Sequence, residues 1–430
     1  MISEERAPGE AFVWAWLPGA TEPVVAGRIE RDGEFYVFNY GRSYLEAEGA
    51  IPLYVPELSM RVGRIDPIAP LQMAGALRDA APDAWGRRVI INRLTGSSGK
   101  DADVVELDEL TFMLESGSDR IGGLDFQRSS SDYTARETGV ASLDELREAA
   151  AMVDDGVPLT PALAEVLQHG TAIGGARPKA LIDDGDKKYI AKFSSSNDIY
   201  SVVKGEYVAM RMAALAGLNV GSVKLTTSVG TDVLLIERFD RQMTGGGWSR
   251  RMLVSALTIL GLDEIMAAHA SYQELAESIR ARFSEPRKTL HELFARMTFN
   301  ILVGNTDDHA RNHAAFWNGD RLTLSPAYDI CPQARAGREA SQAMRIVGTE
   351  RRSLLSLCLA AAPEFHLSGE AALRIMTDQI TLIRNRWDAL CGEAGLSEVD
   401  RRLLWRRQFL NDLAFEGMED RLAEAIAGLD

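Results

Sequence analysis

The sequence of 430 residues predicts an α+β fold, with a β-rich N-terminal half and a largely helical C-terminal half. Short runs rich in Val, Phe, Tyr and Trp occupy much of the chain up to about residue 240. From Leu253 onward, apolar residues recur mainly at helical spacing. The composition, 46% hydrophobic and 25% charged, is typical of a globular protein, and the length indicates two or three domains.

The N-terminal elements are predicted from apolar runs and from turn residues. The first strands are predicted at residues 11–16, 24–30 and 34–39. Asp32-Gly33 lies between the last two and favours a tight hairpin turn. A helical pattern over 71–94 is interrupted at Pro82, and Ser142 is the predicted N-cap of a helix that ends near Val153.

The later elements follow the same signals. Strands are predicted at 180–182, 188–193, 224–227, 233–237, 314–317 and 321–324, and helices at 206–216 and 398–415. Apolar residues from Leu290 to Ile301 have helical spacing, and this helix is predicted to stop at Gly304 because Gly readily adopts the left-handed conformation past a helix end. Ser397 is the predicted N-cap of the last helix.

The charge balance excludes some classes of protein. Lys and Arg number 47 and Asp and Glu number 62, which gives a formal net charge of −15. A protein whose main task is to coat nucleic acid needs clustered basic residues instead. No apolar run approaches the roughly 18 residues of a membrane span, no secretory signal is visible, and the three cysteines lack CxxC spacing. We therefore expect a cytoplasmic protein without disulfides.

The densest group of polar residues is the segment 304–313, Gly-Asn-Thr-Asp-Asp-His-Ala-Arg-Asn-His, at the end of an apolar helix. Asp307 and Asn312 have the separation found between the base Asp and the metal-binding Asn of a kinase catalytic loop. In that chemistry a carboxylate accepts a hydroxyl proton or orients the nucleophile, while an amide oxygen binds Mg²⁺ on the phosphates. A DxxxxN pair is common by chance, so it needs support from its surroundings.

That support comes from the residues that follow. A predicted hairpin over 314–324 precedes an isolated carboxylate, Asp329. Kinases place a β-hairpin between the catalytic loop and the Asp of the second metal motif. Asp329 therefore stands where a second metal ligand is expected.

The segment 173–179 is a candidate phosphate-binding loop. Its small residues let backbone N–H groups approach phosphate oxygens, although an ordinary turn has the same composition. It does not match the Walker A pattern GxxxxGK[ST]. The candidate residues are Gly174, Gly175, Ala176, Arg177 and Lys179.

Lys192 stands in an otherwise apolar predicted strand. Because a buried ammonium needs a partner, a phosphate together with the carboxylate of Glu206 on the following helix would account for it. The strand Lys and helix Glu of kinases form such a pair. An edge-strand Lys that faces solvent is the alternative.

The apolar strand 233–237 ends in the charged segment 237–241. In a two-lobed kinase, such a strand end is where the hinge meets adenine through backbone groups and an aromatic or apolar contact. A solvated strand end explains the same residues equally well.

These segments, in this order, resemble the HipA family, the serine/threonine-kinase-like toxins of bacterial type II toxin–antitoxin modules. The matching segments are LRDAAPDAWGR at 77–87, DRIGGLDF at 119–126, GGARPK at 174–179, ERFDR at 237–241, GNTDDHARN at 304–312 and SPAYD at 325–329. The resemblance extends over roughly residues 12–390 and implies a two-lobed protein-kinase-like fold. The ordered set is specific, although single members are not.

The resemblance also implies roles for individual residues. Asp307 would be the catalytic base, Asn312 and Asp329 the Mg²⁺ ligands, Lys192 the ATP-phosphate Lys, 173–179 the phosphate loop, and Glu237 and Phe239 the residues that flank adenine. The implied cofactors are ATP and Mg²⁺. The family phosphorylates Ser/Thr residues of proteins connected with translation, including aminoacyl-tRNA synthetases. Its usual partner is a small helix-turn-helix antitoxin, HipB-like, through which DNA would be contacted only indirectly.

The same resemblance divides the chain into a β-rich N-terminal subdomain (1–130), a kinase core (150–395) and a C-terminal helical extension (396–430). One position departs from the family pattern. Members commonly carry an autophosphorylated Ser seven residues before the loop Lys, and here that position is Ala172, with Thr171 beside it. Self-inactivation through this loop is therefore either absent or shifted to Thr171.

Other functions remain open on the sequence alone. A small-molecule phosphotransferase uses the same two-lobed logic, and a pseudokinase would act as a co-repressor through its antitoxin. A metal-dependent phosphohydrolase would use the carboxylates and imidazoles of the loop, with two His at i, i+4 if the segment were helical. Its residues would be Asp307, Asp308, His309, His313 and Asp329.

The most basic stretch is a run of four arginines near the C-terminus: Arg401, Arg402, Arg406 and Arg407. On the predicted helix 398–415 they would occupy much of one surface. A solvated helix face explains this pattern more simply than a contact with DNA.

Overall fold

The computed structural model describes residues 8–96, 107–136, 142–154, 157, 163, 177, 179–194, 198–335, 337, 339–427 and 429. The predicted phosphate loop lies outside these residues apart from Arg177 and Lys179, and so do Thr171 and Ala172. The chain divides into two compact units. The first comprises Met1–Ser196, Thr226–Val254 and Phe316–Asp320, and the second comprises Asn197–Leu225, Ser255–Ala315 and Arg321–Asp430.

A five-stranded antiparallel sheet begins the first unit. Its strands are β1 (Glu10–Ala15), β2 (Val24–Asp32), β3 (Phe35–Tyr40), β4 (Arg64–Ile65) and β5 (Leu124–Gln127), in the order β4-β3-β2-β1-β5. The predicted hairpin turn between β2 and β3 is confirmed, with Gly33 at φ +64°. Alternate side chains such as Val13, Ile29 and Phe38 are buried, as expected for strands with one face on a core.

The helices of the first unit are α1 (Arg42–Leu45), α2 (Gly75–Arg78), α3 (Ala84–Thr95), α4 (Glu109–Glu115) and α5 (Leu143–Asp154). The predicted interruption at Pro82 is confirmed, because α2 ends before it and α3 begins after it. Asp83 caps α3 by accepting a hydrogen bond from the Gly86 N–H at 2.8 Å. Ser142 caps α5 as predicted and forms a reciprocal capping box with Glu145.

A second sheet follows in the first unit. Its strands are β6 (Lys179–Asp184), β7 (Lys187–Phe193) and β9 (Thr231–Glu237), which pair antiparallel in that order, and β8 (Val223–Ser228) joins at the far side of β9. One face of this sheet packs on α3 and α5. The buried side chains of that core include Trp85, Val89, Leu146, Ala149, Ala191, Phe193 and Val233. The hairpin of β10 (Arg241–Thr244) and β11 (Gly247–Arg250) and the strand β12 (Leu253–Ser255) come next.

A buried ionic network joins the segment before β5 to the segment after β9. The Asp119 carboxylate lies 3.0 Å from Arg238 and 2.7 Å from Arg241, and Asp240 bridges the same two guanidinium groups. Burial alone would raise the pKa of Asp119, but the two arginines hold it well below its ordinary value. The arginines also donate to the backbone carbonyl of Arg120. The network therefore fixes the backbone just past β9.

We predict that Asp119→Ala lowers the free energy of unfolding by about 3–5 kcal/mol, because it leaves buried guanidinium charge without this carboxylate. The matched control is Asp66→Ala, whose carboxylate pairs with Arg64 at 2.6 Å while both side chains are about half exposed. The control should lower the free energy of unfolding far less, because solvent screens an exposed ion pair. Urea unfolding followed by circular dichroism measures both, and equal losses would contradict the role given to the network.

The second unit is mainly helical. Its helices are α6 (Val202–Leu215), α7 (Ala256–Ile259), α8 (Tyr272–Arg282), α9 (Pro286–Leu302), α10 (Leu355–Ala361), α11 (Gly369–Glu393), α12 (Glu398–Leu404) and α13 (Ala423–Ile426), with short 3-10 helices at Ala267–His269, Ala310–Asn312, Ala362–Phe365 and Asp412–Phe415. The strands β13 (Ala314–Trp317) and β14 (Leu322–Leu324) form where a hairpin was expected. The predicted apolar face of α9, from Leu290 to Ile301, is buried. Among the described residues, no helix has the length and apolar character needed to span a membrane.

The predicted helix 398–415 is wrong beyond its first two turns. Ser397 caps it as expected, but α12 ends at Leu404, and Arg406 has φ +61°. The chain turns here because Trp405 packs on Trp387 at a ring distance of 4.9 Å and Phe409 is fully buried. Arg406 and Arg407 therefore do not continue a helical surface begun by the two preceding arginines.

Candidate active site

The candidate catalytic loop, 304–313, begins where α9 ends. Gly304 has φ +71°, and a Cβ at this position would lie 2.7 Å from the Gln408 carbonyl oxygen. Both the left-handed backbone and the close approach require glycine. The predicted stop at Gly304 thus has a structural cause in the second unit.

Asn305 connects the loop to α9 and to Asp329. Its side chain is 1% exposed, and its Nδ2 donates to Asn300 Oδ1 at 3.0 Å and to the Asp329 carbonyl oxygen at 3.3 Å. Its backbone N–H donates to the Asn300 carbonyl at 2.9 Å. Because these groups are buried, each needs its partner, and the two ends of the candidate site are held together.

Asp307 presents its side chain to solvent from this loop. Partial desolvation raises the pKa of its carboxyl above the ordinary Asp value, nearby His309 lowers it, and the like charge of Asp329 raises it. The Asp307 carbonyl oxygen accepts hydrogen bonds from Asn312 Nδ2 at 3.0 Å and from the His309 N–H at 2.8 Å. These hydrogen bonds hold the Asp307 backbone and do not involve its carboxylate.

Asn312 is 7% exposed and ends the short 3-10 helix Ala310–Asn312. Since its Nδ2 donates to the Asp307 carbonyl, the amide is oriented and its Oδ1 is the atom that remains for a cation. Amide and carboxylate oxygens are the ligand types that Mg²⁺ prefers. Asn312 therefore fits the predicted role by its chemistry.

Asp329 has φ +58°, in the left-handed region that only a few side chains tolerate. Its carbonyl oxygen accepts from Asn305 Nδ2 at 3.3 Å and from the Cys331 N–H at 3.0 Å, which holds the backbone in this conformation. Backbone strain of this kind concentrates at functional sites. Within the second unit, the structure brings Asp307, Asn312 and Asp329 into one connected group.

The phosphohydrolase alternative finds no support in this geometry. His309 and His313 flank a 3-10 turn and both have extended backbones, so they are not one helical turn apart on an α-helix. His313 is buried, with its Nε2 2.9 Å from Asp308 Oδ1. In the part of the chain that the structure describes, no group of three His, Cys, Asp or Glu side chains is arranged to hold a metal.

In the first unit, Lys179 and Lys192 are directly opposite each other on β6 and β7. Lys179 is 1% exposed, and its ammonium lies 2.8 Å from the carboxylate of Asp83, the N-cap of α3. Burial raises the pKa of Asp83, although Lys179 opposes this. The cation predicted to serve the phosphate loop therefore also ties β6 to a helix of the N-terminal region.

The predicted hinge residues make different contacts. Glu237 Oε2 accepts a hydrogen bond from Lys187 Nζ at 2.7 Å, and the Phe239 ring contacts Phe316 edge-to-face at 5.9 Å. Glu206 is 2% exposed on α6, in the second unit. Its pairing with Lys192 stays a prediction, as do the ATP contacts of Gly174, Gly175, Ala176 and Arg177.

Comparison with known proteins decides the family. A model of the HipA-like C-terminal domain matches residues 171–387, and a model of the HipA N-terminal domain matches residues 20–127. The first alone covers half of the 430 residues. The chain belongs to the HipA family.

Two relatives of this HipA-family chain bear kinase names. The serine/threonine-protein kinase toxin HipA of Shewanella oneidensis is 25% identical over 183 residues, which are 37% of this chain and 42% of the relative. A protein named as a kinase, Y4mE of Sinorhizobium fredii, is 24% identical over 197 residues, 41% of this chain and 46% of the relative. The aligned regions span less than half of each relative.

A solved structure resembles the whole HipA-family chain. It is the complex of HipA, HipB and operator DNA from the Shewanella oneidensis MR-1 toxin–antitoxin system. The match covers 96% of this chain and 99% of that one, at 17% identity and a TM-score of 0.70. This likeness confirms the predicted α+β, kinase-like fold.

Sequence reasoning missed two groups, one paired with the predicted residue Lys179 and one next to Asp307 in the chain. Asp83 was part of the matching segment 77–87, but its pairing with Lys179 was not expected. An Asp directly before a helical pattern is an N-cap signal, so the capping role of Asp83 was predictable. Its ion pair with Lys179, which lies 96 residues away in the chain, was not. The buried contacts of Asp308 were also missed, because adjacent carboxylates look alike in a sequence.

We predict that Asp83 and Lys179 are strongly coupled in stability. Asp83→Asn keeps a cap but removes the carboxylate opposite the ammonium, and Lys179→Met removes the ammonium. Each change should cost about 3 kcal/mol, and the double variant should cost less than the sum by at least about 1 kcal/mol. Chemical unfolding of the four proteins measures this, and additive losses would show that the pair is unimportant.

Proposed function

We propose that this chain is a Mg²⁺- and ATP-dependent serine/threonine protein kinase that acts as the toxin of a HipA/HipB-like module. The observation that carries the proposal is the connected group of Asp307, Asn312 and Asp329, whose backbone carbonyls and amide side chain are held by partly buried hydrogen bonds. Membership of the HipA family and the kinase names of its relatives support the same activity.

The proposed reaction transfers the terminal phosphoryl group of ATP to a protein hydroxyl. Asp307 accepts the hydrogen bond of the attacking hydroxyl, orients its oxygen and takes its proton as the new P–O bond forms and the bond from the γ-phosphorus to the bridging oxygen of the leaving ADP breaks. Partial desolvation raises the pKa of the Asp307 carboxyl, which makes it a better proton acceptor than an ordinary Asp. Positioning and charge stabilisation supply most of the rate.

Asn312 and Asp329 would hold Mg²⁺ through one amide oxygen and a carboxylate. The ion would neutralise charge on the phosphates of bound ATP when present. In the first unit, Lys192, Lys179 and Arg177 supply positive charge toward the polyanion. These local cations are needed because the chain as a whole carries a net charge of −15.

We also propose a helix-turn-helix antitoxin as the partner, because a solved structure that resembles the whole chain is a complex of HipA with HipB and operator DNA. The acidic balance of this chain favours DNA contact through the partner rather than directly. A protein connected with translation is the proposed substrate, and the cytoplasm is the compartment where it would meet this chain.

We predict that Asp307→Asn lowers phosphate transfer by about 10²–10⁴-fold, the usual contribution of a general base. The assay incubates purified chain with Mg²⁺ and labelled ATP in the presence of a cell extract. The matched control is Asp388→Asn, an exposed carboxylate on α11, which should retain wild-type transfer. A wild-type chain that neither binds ATP nor labels any protein would overturn the proposal.

We predict phosphate at Thr171 after incubation with ATP and Mg²⁺, because the usual regulatory Ser position is Ala172. Mass spectrometry of the peptide that contains residues 168–179 tests this. Thr171→Val should remove the modification, and Asp307→Asn should prevent it. If neither Thr171 nor a neighbour carries phosphate, this route of self-inactivation is absent from the chain.

A further inference from the structure

The buried side of the candidate catalytic loop contains three side chains to which the proposed chemistry assigns no role. They are Tyr272, the first residue of α8, Asp308, which follows the proposed base, and His313, which follows the proposed metal ligand. Their exposures are 1%, 2% and 3%, so all three are shielded from solvent. All three belong to the second unit.

These side chains contact one another around the Asp308 carboxylate. The Tyr272 hydroxyl donates to Asp308 Oδ2, and His313 Nε2 lies 2.9 Å from Asp308 Oδ1. The rings of Tyr272 and His313 meet edge-to-face at 5.6 Å with an interplanar angle of 77°. Tyr272 thus hydrogen-bonds one carboxylate oxygen from a neighbouring helix, and the His313 ring from the far end of the loop lies beside the other.

The helix that supplies Tyr272 is itself firmly placed. Ser271 caps α8 through its hydroxyl, which accepts from the N–H groups of Gln273 and Glu274. The Tyr272 N–H donates to the Arg345 carbonyl at 2.9 Å. The far end of the loop is also fixed, since the His313 carbonyl accepts from the Ala256 N–H at 2.7 Å. The backbone that supplies the Tyr272 hydroxyl is therefore held in place.

We propose that Tyr272, Asp308 and His313 form a positioning group, called here the carboxylate anchor, for the reaction under "Proposed function". A buried carboxylate that loses a donor costs far more than an exposed one, so Asp308 has essentially one location. Asp307 directly precedes Asp308 in the chain, and Asn312 directly precedes His313. Asp308 is buried whereas the residue before it, Asp307, is exposed. The anchor thereby sets where the base and the amide ligand point.

The test is Tyr272→Phe, which removes one hydroxyl and keeps the ring contact. The matched control is Tyr207→Phe, whose hydroxyl donates to the Glu393 carboxylate at 2.5 Å in the same unit but on other helices. The kcat of Tyr272→Phe should fall about 10-fold with the KM for ATP within twofold of wild type, since small displacements of reacting groups cost rate rather than ground-state binding. Tyr207→Phe should match wild type in both.

Asp308 supplies a second comparison. Asp308→Asn keeps an oxygen that accepts from Tyr272 and should retain more kcat than Asp308→Ala, which leaves the hydroxyl without its acceptor. If Tyr272→Phe and Tyr207→Phe have the same kcat while the wild type is active, the anchor is wrong and the proposed function stands. If Asp308→Asn retains no more kcat than Asp308→Ala, the carboxylate anchor is likewise contradicted.

A readout without catalysis separates the two proposals. Amide hydrogen exchange over the peptide that contains 305–313 should become faster in Tyr272→Phe than in Tyr207→Phe, by about 10-fold for the slowest amides, if the anchor holds the loop. Unchanged exchange overturns the anchor even if the wild-type chain transfers no phosphate. An inactive wild type with faster exchange overturns the proposed function and leaves the anchor in place.

Discussion

The proposed chemistry depends on burying polar groups where an apolar helix ends. In the loop that follows α9, the side chains of Asn305, Asp308 and Asn312 are each less than one-tenth exposed. Each finds a partner within the second unit, whereas Asp307 is exposed to solvent. Because buried polar groups are costly when unsatisfied, the loop has few alternative conformations. Gly304 makes this possible, since any side chain there would collide with the backbone at Gln408.

A similar constraint governs charge in the first unit. An acidic chain that is proposed to bind a polyanion must keep its cations in defined places. The arginines after β9 are tied to Asp119 and Asp240, and Lys179 is tied to Asp83. Asp83 and Asp119 lie in the region matched by the N-terminal family model. They thus fix elements of the region matched by the C-terminal family model. The N-terminal domain is in this sense part of the framework for the proposed nucleotide-binding segments.

Much of the fold was predictable, because its signals are local. The hairpin at Gly33, the cap at Ser142 and the helix stop at Gly304 follow from turn and cap chemistry. The helix 398–415 failed because Trp405 and Phe409 pack against distant residues and reverse the chain, which no local pattern reveals. The site shows the same division. Spacing predicts Asp307, Asn312 and Asp329 as candidate site residues, whereas the partners of Asp308, which include Tyr272, depend on tertiary contacts.

The measurement that tests the central claim most directly is quantitative phosphoproteomics of cells that express the wild-type chain or Asp307→Ala. The account predicts one or a few Ser/Thr sites, on a protein connected with translation, that gain phosphate only with the wild type. Equal expression of the two chains and a similar thermal unfolding midpoint provide the control. Identical phosphoproteomes in the two cultures would contradict the assignment of this chain as a protein kinase.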